Sequence, residues 1–114
     1  MVINNLHVGL SGSTSVDLNI ESEDLQVNTS GYSNMTLKGK SKNLHASFSG
    51  AGKMDSTEME AESVSVNISG AADAKVNAIQ SLNASISGAG SVRYTGNPET
   101  INQHVSGAGS IGAL

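Results

Sequence analysis

A chain of 114 residues with ten acidic and six basic side chains, a net charge of −4, thirteen glycines, one phenylalanine, no tryptophan and no cysteine is one small domain with a narrow, aliphatic core. The negative balance offers no electrostatic footprint for DNA, RNA or an anionic membrane, and the lack of cysteine removes disulfide and thiolate chemistry. No apolar run approaches the ~18 residues of a membrane-spanning helix, and Met1-Val2-Ile3-Asn4-Asn5 does not read as an export signal.

The first element in chain order sets a pattern that the rest repeats. Leu6, Val8 and Leu10 alternate with other residues up to Ser11-Gly12, and the alternation resumes at Val16 and Leu18. Next come Leu25 and Val27 before Ser30-Gly31, with Met35 and Leu37 after it; then Leu44, Ala46 and Phe48 before Ser49-Gly50, with Met54 after it. Val64, Val66 and Ile68 precede Ser69-Gly70, followed by Ala74 and Val76; Leu82, Ala84 and Ile86 precede Ser87-Gly88, followed by Val92 and Tyr94. The last unit has Ile101 and Val105 before Ser106-Gly107 and Ile111 after it. The six glycines are spaced 19, 19, 20, 18 and 19 apart.

Apolar residues at every second position mark strands buried on one face, and the glycine-rich corners exclude helix. Strands about ten residues apart would also suit an antiparallel sandwich, but a sandwich has no reason to hold a 19-residue phase. A chain that stacks each turn on the last must hold one. The spacing therefore predicts an all-β fold: a right-handed parallel β-solenoid of about six 19-residue coils, forming a single domain over 1–114. Each coil is expected to be strand, Ser-Gly corner, strand and short polar turn. At about 4.8 Å per rung the stack is a rod some 25 to 30 Å long. Gly12, Gly31, Gly50, Gly70, Gly88 and Gly107 should form one column, where glycine permits positive φ and close packing of successive corners. Ser13-Thr14 and Tyr32-Ser33 behind the first two corners make small residues there a bias.

The segments NISGAADAKV (67–76), SISGAGSVRYTGNPETI (85–101) and VSGAGSI (105–111) resemble the repeats of the bacterial auto-transporter adhesin head GIN domain, a family typical of Bacteroidetes surface and periplasmic proteins. The resemblance is strongest from Val64 onward. Gly96-Asn97-Pro98 followed by the final SGAGSI is its most specific part. It implies an exported β-helical protein at the cell surface or in the periplasm. Against the family's pattern, the usual N-terminal portion and a signal segment are not recognised in this sequence, so the resemblance implies that the chain is a fragment of a longer exported protein. The resemblance supplies no catalytic residues to carry over.

Residue by residue, the chemistry is sparse. His7 and His45 both stand five residues before their glycines, in coils one and three, so Gln26 separates them and they lie about 10 Å apart. That is too far to share a Zn²⁺ ion, whose bonds to nitrogen are about 2 Å. His104 falls in another register. Glu58, Glu60 and Glu62, and Glu21, Glu23 and Asp24, could in principle furnish a pair for polysaccharide cleavage, but no arginine, histidine or aromatic platform gathers with them, and they read as solvated loops. Asp73 alone follows a corner as a calcium ligand would, and the nine-residue ligand repeat of calcium β-rolls is absent. Asn28, Asn34, Asn67 and Asn83 open N-x-Ser/Thr sequences, which arise cheaply on a Ser/Thr/Asn-rich surface. Thr29, Thr36, Thr57 and Thr95 form no rank for ice.

No catalytic, metal-ligating or cofactor-binding residue is assigned. The expected role is a non-enzymatic structural or adhesive surface module, presenting polar faces to a surface glycan, a protein or a second copy through solenoid ends or edges. Nucleic acid and membrane insertion are not expected. The alternative is a carbohydrate-binding or polysaccharide lyase-like enzyme on a β-helix, which would need longer insertions to wall a groove. In the repeat frame, Asp55 lies under Lys75, Lys53 under Asp73, Glu21 under Lys40 and Glu23 under Lys42. These are expected to be exposed pairs that fix the register between coils.

Overall fold

The computed structural model describes residues 2–96 and 98–113, so Met1, Asn97 within the Gly-Asn-Pro segment, and Leu114 lie outside the described residues. The chain forms five ladder-bonded strands: β1 Val2–Ile68, β2 Ala71–Ile86, β3 Ser91–Thr95, β4 Thr100–Val105 and β5 Ser110–Ala113. A strand of 67 residues has one physical meaning here. The chain coils on itself, and hydrogen bonds to the neighbouring coil continue around the corners. β1 pairs with β2, β2 with both β3 and β4, and β3 with β5, all parallel. Representative partners are Met54↔Ala74, Ala74↔Val92 and Val92↔Ile111 on the wall after the corner, and Ile68↔Ile86↔Val105 on the wall before it. This is the parallel β-solenoid of six turns that the spacing predicts. Its extents of 37 × 34 × 19 Å make it a flattened stack, thin in one direction.

The glycine column forms as anticipated. A β-carbon built on Gly31 would lie 2.9 Å from the Gly12 nitrogen, one on Gly50 2.5 Å from the Gly31 carbonyl oxygen, one on Gly88 2.5 Å from that of Gly70, and one on Gly107 2.7 Å from that of Gly88. On Gly70 it would run into the Gly50 carbonyl oxygen. Such approaches are closer than a side chain tolerates, so backbone rests on backbone at every corner. The second glycine of the SGAG phrase is pressed from two directions. A β-carbon on Gly90 would lie 2.7 Å from the Ala72 carbonyl oxygen and 3.0 Å from Ile68 Cγ2, and one on Gly109 would lie 2.8 Å from Ile86 Cγ2 and 3.0 Å from the Gly90 carbonyl oxygen. The phrase recurs because backbone below and a large residue two places before the preceding corner together fill the space behind the next. Where the ladder is interrupted at the later corners, single bonds such as Ser69 N–H to the Phe48 carbonyl (2.8 Å) and Ser87 N–H to the Ile68 carbonyl (2.8 Å) keep the coils joined.

The core is a stack of inward columns. Leu25, Leu44, Val64 and Leu82 fill one, Phe48, Ile68 and Ile86 another, and Met35, Met54, Ala74 and Val92 a third, all buried. Leu6, Val8, Leu10, Val16 and Leu18 of the first coil are only partly covered, and Ile101 and Val105 of the last are exposed.

One expectation needs correction. The segment read as a short polar turn is a third extended side, because Ile20, Met59, Ala61 and Ala78 point inward from it and are buried. Glu58, Glu60 and Glu62 alternate with Met59 and Ala61, so they stand on a strand and not on a solvated loop. The third side also absorbs the uneven coil lengths. Register shifts fall between Ser56 and Glu60 and between Ala61 and Ser63, while the two walls flanking the corner stay in step.

Candidate functional site

On the wall after each corner, the residue four beyond the glycine turns inward, so those three and five beyond it point out and form two parallel columns. The first runs Ser15, Asn34, Lys53, Asp73 and Ser91, and the second Asp17, Thr36, Asp55, Lys75 and Arg93. Between them lies a trough of ≈ 760 Å³ that spans five coils. Met35, Met54, Ala74 and Val92 beneath it are buried, and the parallel ladder engages the wall's backbone. What the trough offers a ligand is therefore its side chains: three carboxylates, three cations and a set of hydroxyl and amide groups.

The register places these charges as the repeat frame foretold, with Lys53↔Asp73 and Asp55↔Lys75 directly opposed. They do not bond to each other. Asp55 Oδ1 instead accepts from the backbone N–H of Thr57 at 3.2 Å and from its hydroxyl at 2.8 Å, and Asp73 Oδ1 accepts from the Ser91 hydroxyl at 2.6 Å. The physical reason is entropic. A contact two residues away, or with a short serine, immobilises less than one that extends a long lysine chain. Among the described residues the ion pair that does form is Lys38 Nζ to Glu58 Oε2 at 3.5 Å, on the third side and largely exposed. There the coils layer acid, base, acid: Glu21 and Glu23 in the first, Lys38, Lys40 and Lys42 in the second, Glu58, Glu60 and Glu62 in the third. No bond joins Glu21 to Lys40 or Glu23 to Lys42 among the described residues.

The histidines lie elsewhere. His7 and His45 are exposed on the wall before the corner and border, with Asp24 and Gln26, a hollow of ≈ 330 Å³. Asp24 Oδ1 accepts from the Asn43 amide at 2.7 Å. His104 edges a further hollow of ≈ 260 Å³, beside a ladder in which the Asn102 amide donates to Asn83 Oδ1 at 2.7 Å. Among the described residues, no group of three or more His, Asp and Glu side chains is arranged to hold a metal ion. Thr29 is buried and turned inward, reaching the Ser47 carbonyl at 3.4 Å. Sequence reasoning recognised the trough's charges only as register devices. The signal that could have identified a trough was present, since one buried column lies between two outward ones.

Comparison with known proteins places this architecture. A crystal structure of a putative adhesin from Bacteroides fragilis superposes with a TM-score of 0.95 at 25% identity, covering 100% of this chain and 53% of that one. A putative adhesin from Parabacteroides merdae superposes with a TM-score of 0.83 at 23% identity, covering 97% of this chain and 49% of that one, and shares the fold. The chain thus spans about half the length of these solved structures. No protein of curated function matches it in sequence. The family model described as "Putative auto-transporter adhesin, head GIN domain" matches residues 2–98, taking in the early coils and the Gly-Asn-Pro segment but not the closing SGAGSI. With its six-turn solenoid and a match over most of its length, the chain belongs to the auto-transporter adhesin head GIN domain family.

Proposed function

We propose that the chain is a non-enzymatic adhesive module of an exported surface protein, and that the trough after the corners is the face it presents to a glycan. The carrying observation is the trough itself: five coils long, lined by hydroxyl, amide and charged side chains, on a wall whose backbone is held in a parallel ladder. Sugars are bound by such groups, which match their many hydroxyls, and a rigid scaffold limits the ordering entropy lost on binding. The adhesin descriptions of the family and of the Bacteroides and Parabacteroides structures support an exported, surface-facing role. Among the described residues the walls carry no long insertion that would roof the trough, which favours holding a chain over processing one.

A glycan array probed with the purified chain tests the proposal. Retention of one or more polysaccharides is expected, together with its loss on Thr36→Trp, which fills the trough from a surface position and leaves circular dichroism unchanged. Retention on no glycan, retention that the tryptophan leaves intact, or release of shortened sugar chains would overturn it.

A further inference from the structure

Resting on that reading, we infer that Lys75 and Arg93 form a carboxylate-binding subsite, and that the trough's ligand is an acidic polysaccharide in which uronate residues alternate with neutral sugars.

Lys75 and Arg93 are direct register partners in adjacent coils, one rung or about 4.8 Å apart, both facing out and exposed. Like charges set opposite each other in a ladder repel, so this is the one place in the trough where the stacking opposes itself. Elsewhere its columns alternate sign or pass through neutral residues. Two carboxylates are near enough in the frame to relieve the repulsion, Asp55 opposite Lys75 and Asp73 two residues before it. Neither pairs with a cation: Asp55 Oδ1 is engaged by Thr57 and Asp73 Oδ1 by Ser91. No ion pair reaches Lys75 or Arg93 among the described residues. An external carboxylate lying across the two rungs would accept the guanidinium's paired N–H groups and the ammonium together, and charge-assisted hydrogen bonds of this kind are the strong ones.

The remainder of the trough identifies what carries that carboxylate. From Lys75 in coil four it runs back toward coil one past Thr36, Asn34 and Ser15, on the order of 14 Å for three rungs, with hydroxyl and amide groups that suit neutral sugars. Asp17 and Asp55 stand along the same stretch against the single cation Lys53, so two carboxylates outweigh one ammonium there and disfavour a ligand charged at every unit. A peptide docking by strand addition or through an apolar anchor would need an unpaired strand edge or an apolar pocket, and among the described residues this wall presents neither; an acidic peptide held by the cations alone is the competing occupant that polyglutamate represents in the calorimetry.

Calorimetry on the intact chain with oligosaccharides of alternating glucuronate and N-acetylglucosamine decides the matter. The control ligand is the same oligosaccharide with its carboxylates reduced to alcohols. The native oligosaccharide should bind at least ten-fold more tightly than the reduced one, and should weaken as salt rises. Lys75→Ala and Arg93→Ala should each abolish the difference between the two ligands, while Lys40→Ala on the third side should leave it intact. Equal affinity for both ligands would overturn the subsite and leave the adhesive reading standing, as would failure to bind either while the array retains some other glycan. Polyglutamate bound as tightly as the oligosaccharide would show an unselective anion patch, and would also overturn it. Silence on the array as well would remove both readings.

Discussion

The early and late corners of the solenoid carry the same Ser-Gly pair and use the glycine differently. Gly12 and Gly31 turn with φ of 83° and 98°, whereas Gly50, Gly70 and Gly88 do not adopt positive φ. At Gly12 nothing lies within 4 Å of where a β-carbon would stand, so its glycine is conformational. At Gly70 the backbone angles would admit any residue, and the Gly50 carbonyl excludes one. One letter, repeated about every 19 residues, thus satisfies two separate constraints: left-handed backbone at the first coil and the close approach of adjacent coils at the later ones, with Gly31 and Gly107 subject to both.

The largest expected effect separates these two constraints. Gly70→Ala has no flexible neighbour to displace, only backbone, and should cost more than about 3 kcal/mol, beyond ordinary overpacking, which is enough to threaten folding of a small domain. Gly12→Ala should cost about 1–2 kcal/mol for its left-handed backbone alone. Urea denaturation of the two variants measures both, and equal losses would mean that the corners share one constraint after all.

A smaller effect of opposite sign is expected at Ser33. Two residues past its glycine, it sits where later coils place Gly52, Ala72, Gly90 and Gly109. Its side chain is fully buried and its hydroxyl has no partner. Burying an unsatisfied hydroxyl is unfavourable, so Ser33→Ala should raise stability by roughly 1 kcal/mol and make the second corner resemble the fourth. A loss of stability in thermal melts would show that the early corner depends on that hydroxyl.

The smallest effect concerns the charged layers, which occupy the third side of coils one to three and give way to Asn77, Ile79 and Gln80 in coil four. A double-mutant cycle on Lys38 and Glu58 should return about 0.3–0.5 kcal/mol, vanishing at high salt. A coupling several times larger, or one that salt does not touch, would give these layers a structural weight that the late coils lack.

Much of this architecture was legible before any coordinates. The 19-residue glycine phase fixed the parallel register, and period-2 alternation identified the inward columns, because both are direct consequences of stacking. The third side was harder to read. Its buried residues, Ile20, Met59, Ala61 and Ala78, are interspersed with charges and with buried serines such as Ser22, Ser41 and Ser56, so the alternation of burial is not an alternation of hydrophobicity. Lys38–Glu58 was missed for a related reason: its partners are 20 residues apart, in a coil whose extra residue shifts the frame. At the trough, the sequence placed Asp55 opposite Lys75 correctly. Register, however, brings backbones together, and the side chain chose the nearer Thr57.

The register shifts confined to the third side have an evolutionary corollary. A lost or gained residue on either wall flanking the corner would throw every outward column beyond it onto the wrong face, since the side-chain period is two. On the third side the same change is taken up locally, as Thr57–Met59 in coil three and Ile79–Gln80 in coil four already demonstrate. That side behaves as an expansion joint. Descendants of this chain can vary in length there, or duplicate a whole coil, while the spacing of groups along the trough remains a ruler marked off in rungs.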